Sequence, residues 1–219
     1  MNCEVFPRVV GDIIESIHEL FEDDVVLIYS NPDSYVDIYA SEFYVAKVFQ
    51  NLDEGRSRCF TEYKNHMIAY SKHPQFMIPM HYYLMDNTSS CLVYERGFEI
   101  TDVEFEYNIE SIIDIILAFN NVGVIHLDTK PTNFLLSKEG NLVIHDWGLA
   151  CTTKLFTNEF KKEIFLSQLR LLFVIWQSSE PIELLEKYGA REIFGLSEDT
   201  MYTDEYFNRI VCIQDYYRV

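Results

Sequence analysis

The stretch that decides the fold runs Val124-Ile-His-Leu-Asp-Thr-Lys-Pro-Thr-Asn-Phe-Leu-Leu136, then Ser137-Lys-Glu-Gly-Asn141, then Leu142-Val-Ile-His-Asp-Trp-Gly-Leu-Ala150. Phe134 to Leu136 and Leu142 to Ile144 are short apolar runs around Lys138-Glu139-Gly140-Asn141, a cluster of turn formers, and together they predict a β-hairpin. With the turn centred between Glu139 and Gly140, Asn133 and Asp146 are expected to face each other at its open end. Asp128 and Lys130 lie just upstream, on a loop leaving the strand Val124 to His126. Two carboxylates, an amide oxygen and an ammonium then converge. Hard oxygen donors of this kind suit Mg²⁺ bridging phosphates, because that ion takes one or two carboxylates and completes its shell with water and substrate oxygens. Each aspartate alone reads as a loop cap; all four residues at this spacing make that the poorer explanation.

Working outward, Ile109, Ile112, Ile113, Ile116 and Leu117 mark a long helix before this stretch, closed by Asn120-Asn121 and Gly123. The chain opens with an amphipathic helix carrying Val10, Ile13, Ile14, Ile17, Leu20 and Phe21 and ending near Glu22. Strands are expected at Val25 to Tyr29, Tyr35 to Tyr39 and Phe43 to Phe49, split by the turns Ser30-Asn31-Pro32-Asp33 and Ala40-Ser41-Glu42. Gly55 breaks the chain, and a helix follows from Cys59 to Ser71, stopping before Pro74. Met77 to Met85 and Cys91 to Tyr94 read as two more strands. Downstream, Phe165 to Trp176 carries a helical apolar stripe, and Pro181 to Val219 reads as short helices. The expected organisation is a single domain, strand-rich over 1–95 and helix-rich over 98–219, with a hinge near 95–97.

The stretch resembles the eukaryotic-type protein kinase superfamily. His126-Leu127-Asp128-Thr129-Lys130-Pro131-Thr132-Asn133 is similar to the catalytic-loop pattern H-R-D-L-x-x-x-N, and Asp146-Trp147-Gly148 to the D-F-G magnesium motif. Upstream, Tyr44-Val45-Ala46-Lys47 resembles the V-A-I-K segment, Glu62 stands where a glutamate pairs with that lysine, and Leu92-Val93-Tyr94-Glu95 resembles the strand entering the hinge, with Tyr94 in the gatekeeper place. The resemblance covers Val25 to Ala150 and implies a two-lobed α+β kinase-like fold, with a small antiparallel-sheet N-lobe and an abbreviated helical C-lobe. It also implies ATP and Mg²⁺ as cofactors. Lys47, Glu62, Tyr94 and Glu95 would serve ATP binding, Asp128 and Lys130 catalysis, and Asn133 and Asp146 the metal. The implied activity is phosphoryl transfer to Ser/Thr hydroxyls of a protein, since a lysine two residues after the base is typical of serine/threonine kinases.

Departures from the pattern keep two alternatives open. No glycine occurs between Gly11 and Gly55, so the Gly-rich phosphate loop is missing, and Tyr29, Asn31 and Ser34 stand about where its glycines would fall. Leu127 replaces the arginine beside the catalytic aspartate, and no A-P-E follows Asp146. A pseudokinase acting as a binding module or decoy is one alternative; a small-molecule kinase of the aminoglycoside or choline type is the other. Without a guanidinium at position 127, phosphorylation of Thr152, Thr153 or Thr157 is not expected to control activity; a regulatory protein partner is the expected gate.

Composition sets the remaining bounds. The 219 residues, 48% hydrophobic, are enough for a sizeable core, and no apolar run reaches the ~18–20 residues of a membrane span. Glu4, Pro7 and Arg8 interrupt any secretory h-region, so the protein is expected to be soluble and intracellular. A net charge of −18 disfavours nucleic acid and anionic membrane as partners and favours a basic protein substrate. Five cysteines without a C-x-x-C pair are expected to be reduced and mostly buried. His126 and His145 read better as packed histidines bonding the loop backbone than as metal ligands. His66, His73 and His81 read as surface or strand residues, and Asp102, Glu104 and Glu106 as a solvated face.

Overall fold

A computed structural model describes residues 5–22, 25–50, 53–152, 164–169, 172 and 187. The chain divides into two compact units, Met1–Glu99 with Leu135–Gly148, and Ile100–Phe134 with Leu149–Val219.

The first unit is built on a six-stranded sheet. In chain order its strands are β1 (Pro7–Val9), β2 (Val26–Asn31), β3 (Val36–Ala40), β4 (Tyr44–Gln50), β5 (Met80–Met85) and β6 (Ser89–Glu95), and in space the order is β1-β5-β6-β4-β3-β2. Every pairing is antiparallel except β1 on β5. Alternation along the central strands sends side chains to two covered faces. Helix α1 (Ile13–Phe21) lays Ile13, Ile17 and Phe21 on one face, against Ala46, Val48, Leu84, Cys91 and Val93. Asp12 caps it by accepting from the Glu15 N–H at 2.9 Å, and Asp86, in the β5–β6 turn, accepts the Ile13 N–H at 3.1 Å. On the other face Cys59, from α2 (Glu54–Lys72), packs with Val36, Phe49, Met80, Tyr83 and Leu92. Strand β2 lies at the edge of the sheet opposite β1, and Val26, Leu27, Ile28 and Tyr29 along it are exposed.

Helix α2 starts five residues before the expected Cys59, with Gly55 inside its first turn rather than breaking the chain. A Cβ at position 55 would collide with the Gln50 carbonyl, so glycine serves a close backbone approach there. His66, expected at the surface or on a strand, lies on the inner face of α2 and is 1% exposed. The short strands β1 and β7 (Phe98–Glu99) were not legible as runs of two or three residues.

Strands β9 (Phe134–Leu136) and β10 (Leu142–Ile144) form the expected hairpin, and β7 joins it on β9. Its register differs from expectation by one residue. Ser137 N–H donates to Asn141 O at 2.8 Å and Gly140 N–H to Ser137 O at 2.9 Å, with Gly140 at φ 79°, which makes a three-residue loop centred on Glu139. Asn133 and Asp146 are therefore not cross-strand partners, and Asn133 sits in the 3-10 turn Pro131–Asn133 ahead of the strand.

In the second unit, α3 (Asp102–Asn121) begins seven residues before Ile109 because Thr101 and Glu104 close a capping box, with Thr101 N–H donating to Glu104 at 2.9 Å. Glu104 is thus a cap as well as an exposed acid. Strand β8 (Val124–Ile125) pairs antiparallel with β11 (Cys151–Thr152), and residues 164–169 are helical and buried. The rest of the helix expected to Trp176, and the helices expected over 181–219, lie outside the described residues, apart from 172 and 187. Among the described residues no helix is long and apolar enough to cross a membrane. The described cysteines Cys59, Cys91 and Cys151 are free, the first two buried.

Candidate active site

In the first unit the geometry is organised by Lys47. Val45, Lys47 and Phe49 point to the α2 side of β4, and the register pairs Val45 with Tyr94 and Lys47 with Leu92, so Lys47 and Tyr94 share a face. Helix α2 crosses that face and presents Cys59, Glu62, His66 and Ala69 at helical spacing. Lys47 Nζ donates to Glu62 Oε2 at 2.7 Å and to Asp146 Oδ1 at 2.8 Å; Tyr94 Oη–H donates to Glu62 Oε1 at 3.0 Å. Glu62 is 3% exposed and Asp146 33%. Glu54, the other acid within this helix, stands in its first turn.

Electrostatics follow from that burial. Burial works against the charge on Lys47, but Glu62 and Asp146 outweigh it and raise its pKa, so the ammonium stays charged. Burial raises the Glu62 pKa above the usual carboxylate range, with Lys47 and the Tyr94 hydroxyl opposing the rise. The Tyr94 phenol is pushed well up, by burial first and then by the Glu62 charge. Asp146 has φ 61°, a left-handed backbone rare outside glycine, and just after it the Trp147 carbonyl accepts from Asn65 Nδ2 of α2 at 3.1 Å. Glu95 stands elsewhere: its carboxylate is 3.9 Å from His81 Nε2, in a cavity of about 590 Å³ that Phe43, Tyr44, Arg96 and Lys138 also line.

The turn between β2 and β3 replaces the missing glycines with a closed structure. Asn31 Oδ1 accepts the N–H groups of Asp33 at 3.0 Å and Ser34 at 3.3 Å, while Asn31 Nδ2 donates to Tyr29 Oη at 3.1 Å. Arg58 on α2 donates to the Ser34 carbonyl at 2.5 Å. Main-chain donors that a Gly-rich loop would offer to phosphate are here directed at a side chain of the same loop. The run Ser30-Asn31-Pro32-Asp33 signalled the turn but not this self-capping.

In the second unit Asp128, Lys130 and Asn133 come together. Lys130 Nζ donates to Asp128 Oδ2 at 2.9 Å, and Asn133 Nδ2 donates to Asp128 O at 2.7 Å and to its Oδ2 at 3.0 Å. Because Nδ2 is engaged by Asp128, Oδ1 is the atom Asn133 would offer a metal. His126 is buried, and its carbonyl and Nδ1 accept the Asp128 N–H at 2.9 and 3.3 Å, the packed role expected of it. Leu127 has φ 59°. No group of three or more His, Cys, Asp or Glu among the described residues is placed to hold a metal ion. The half-buried Asp146 carboxylate of the first unit and the Asn133 amide oxygen of the second are each donors of the kind Mg²⁺ takes, an ion that needs few protein ligands and relies on substrate oxygens and water.

No protein-family model matches the chain. Among solved structures, the kinase domain of BubR1 superposes with a TM-score of 0.52 over 96% of this chain and 88% of that domain, at 15% identity. The chain has a protein-kinase-like fold. Two serine/threonine kinases share shorter segments with this kinase-like chain. A probable serine/threonine-protein kinase of Dictyostelium discoideum is 34% identical over 76 residues, 31% of this chain and 18% of that protein. The serine/threonine-protein kinase PKH3 of Eremothecium gossypii is 49% identical over 41 residues, 19% of this chain and 6% of that protein. The chain thus spans less than a fifth of the length of these curated relatives.

Proposed function

We propose that the protein transfers the γ-phosphoryl group of ATP to a Ser or Thr hydroxyl of a protein. The observation that carries this is Lys47, held by Glu62 at 2.7 Å and Asp146 at 2.8 Å on a strand–helix frame. A lysine kept charged by two carboxylates is set to meet phosphate oxygens, and phosphoryl transfer asks the protein for positioning and charge neutralisation rather than covalent chemistry. Asp128 would orient and take the proton of the attacking hydroxyl, with Lys130 neutralising charge on the moving group. Asp146 and Asn133 would hold magnesium, which when bound offsets the phosphate charge. Tyr94 and Glu95 would border the nucleotide. The charge of −18 favours a basic protein substrate and disfavours nucleic acid and anionic membrane, and a regulatory protein partner is the proposed gate.

One observation favours a binding-module pseudokinase instead: the Asn31 side chain occupies the Asp33 and Ser34 N–H groups, leaving phosphate with fewer main-chain donors. Calorimetry with Mg·ATP, and transfer of labelled phosphate to a generic basic protein, separate the two. Transferase activity predicts binding and transfer, with Asp128→Asn lowering turnover far more than nucleotide affinity. Absence of transfer from the wild type would overturn it.

A further inference from the structure

We infer that Thr129 is a positioning residue, whose hydroxyl, bonded to the main-chain carbonyl of Gln168, holds in place the strained loop that presents Asp128. The kinetic consequence rests on the phosphotransferase reading above; the anchor itself does not.

Asp128 follows a very tight turn. Its N–H donates to the His126 carbonyl two residues back, and Leu127 between them has φ 59°. A left-handed conformation costs a non-glycine residue roughly 1–2 kcal/mol, and leucine has no polar atom to offset that locally. Such a turn persists only where its flanks are fixed. On the upstream side, Val124 and Ile125 pair with Thr152 and Cys151, and Leu127 packs with Ile125 and Ile164. On the downstream side Thr129 ties the loop to another helix: it is 0% exposed and donates Oγ1–H to Gln168 O at 2.6 Å. Gln168 is itself held, since its Oε1 accepts Asn120 Nδ2 of α3 at 2.6 Å. The bonds run from α3 through helix 164–169 to the residue next to Asp128, while Lys130 holds the Asp128 carboxylate and Asn133 holds both that carboxylate and the Asp128 carbonyl. Thr129 stands where the kinase pattern H-R-D-L has leucine, so the hydroxyl is a feature of this chain.

Thr129→Val keeps the shape and removes the donor. A displacement of about 1 Å at a reacting group costs on the order of 100-fold in rate. We therefore expect kcat for phosphoryl transfer to fall at least ~10-fold with the KM for Mg·ATP within about twofold, and Thr129→Ser to recover kcat to within about threefold. Amide hydrogen exchange gives a readout independent of transfer: exchange at Asp128 and Thr129 should quicken at least ~10-fold in Thr129→Val and not in Thr129→Ser. If Thr129→Val does not fold, Thr129→Ala, which adds no volume, carries the same comparison. Unchanged exchange in the donor-less variant, or a serine variant no better than valine, overturns the anchor. A wild type without transfer activity overturns the phosphotransferase reading instead, and exchange alone then decides the anchor.

Discussion

Replacing His66 by leucine should remove much of the acid sensitivity of this fold. The imidazole is 1% exposed on the inner face of α2, stacked on Tyr70 at 6.0 Å and edge-on to Tyr94 at 5.3 Å, and its Nε2 has no hydrogen-bond partner among the described residues. Burial, with His145 nearby adding to it, pushes its pKa down from 6.5 to about 3. The unfolded chain therefore takes up a proton as pH falls below 6.5, while the folded chain does not until about pH 3. Stability from the neutral ring is fully present above 6.5 and is lost progressively on acidification through that window. At 1.36 kcal/mol per unit, the 1.5 units from pH 6.5 to 5.0 amount to about 2 kcal/mol, a large share of a typical 5–15 kcal/mol domain stability. Leucine cannot take up that proton, and exchanging an unpaired buried polar atom for an apolar one is close to neutral at pH 7. Urea unfolding of wild type and His66→Leu at pH 7.0 and 5.0 measures the double difference. A value near 2 kcal/mol is expected, and equal pH sensitivity in the two proteins would refute it.

Three further outcomes follow from named contacts. Asp86→Ala should cost about 1–3 kcal/mol in denaturant melts, because its carboxylate accepts Thr88 and Ser89 N–H at 2.7 Å each besides the Ile13 N–H. Burial raises the Asp86 pKa, yet these bonds outweigh it and hold it below 3.8, so their stabilisation is present above that value and fades as pH falls further; the variant should have a flatter acid limb. Gly55→Ala should destabilise by about 1–3 kcal/mol, the reverse of alanine's usual benefit in a helix, by forcing a Cβ onto the Gln50 carbonyl; a thermal melt unchanged or higher would contradict it. Lys47→Met should cost about 3 kcal/mol at pH 8 by leaving Glu62 buried beside Asp146 without its cation, and adding Glu62→Gln should recover much of the loss in the same unfolding assay.

How far residues alone disclosed this structure depended on the range over which each signal acts. The hairpin at 134–144 and the cores of α1, α2 and α3 were legible because apolar period and turn chemistry are local. The start of α2 was not, since Gly55 looks like a breaker until the carbonyl of Gln50 is seen to need its missing side chain. The hairpin register went astray by one residue because Gly140 can close a three-residue loop as readily as an even one, and no sequence period distinguishes them. The Lys47–Glu62 contact was reachable from motif spacing. The Tyr94 hydroxyl on Glu62 required the β4–β6 register, and His66 looked like a surface residue because α2 is polar along most of its length while one narrow face is buried.

Strand β2 has a practical consequence. Its side of the sheet ends in exposed Val26, Leu27, Ile28 and Tyr29, with no lysine, proline or carboxylate among them to discourage another strand from pairing. Mutual repulsion from a net charge of −18 opposes such pairing, an opposition that vanishes near the isoelectric point of about 4.6 and weakens in concentrated salt. Colloidal behaviour during purification and crystallisation should therefore be governed by a six-residue edge, and a single lysine at Ile28 should widen the range of buffers in which the protein stays dispersed.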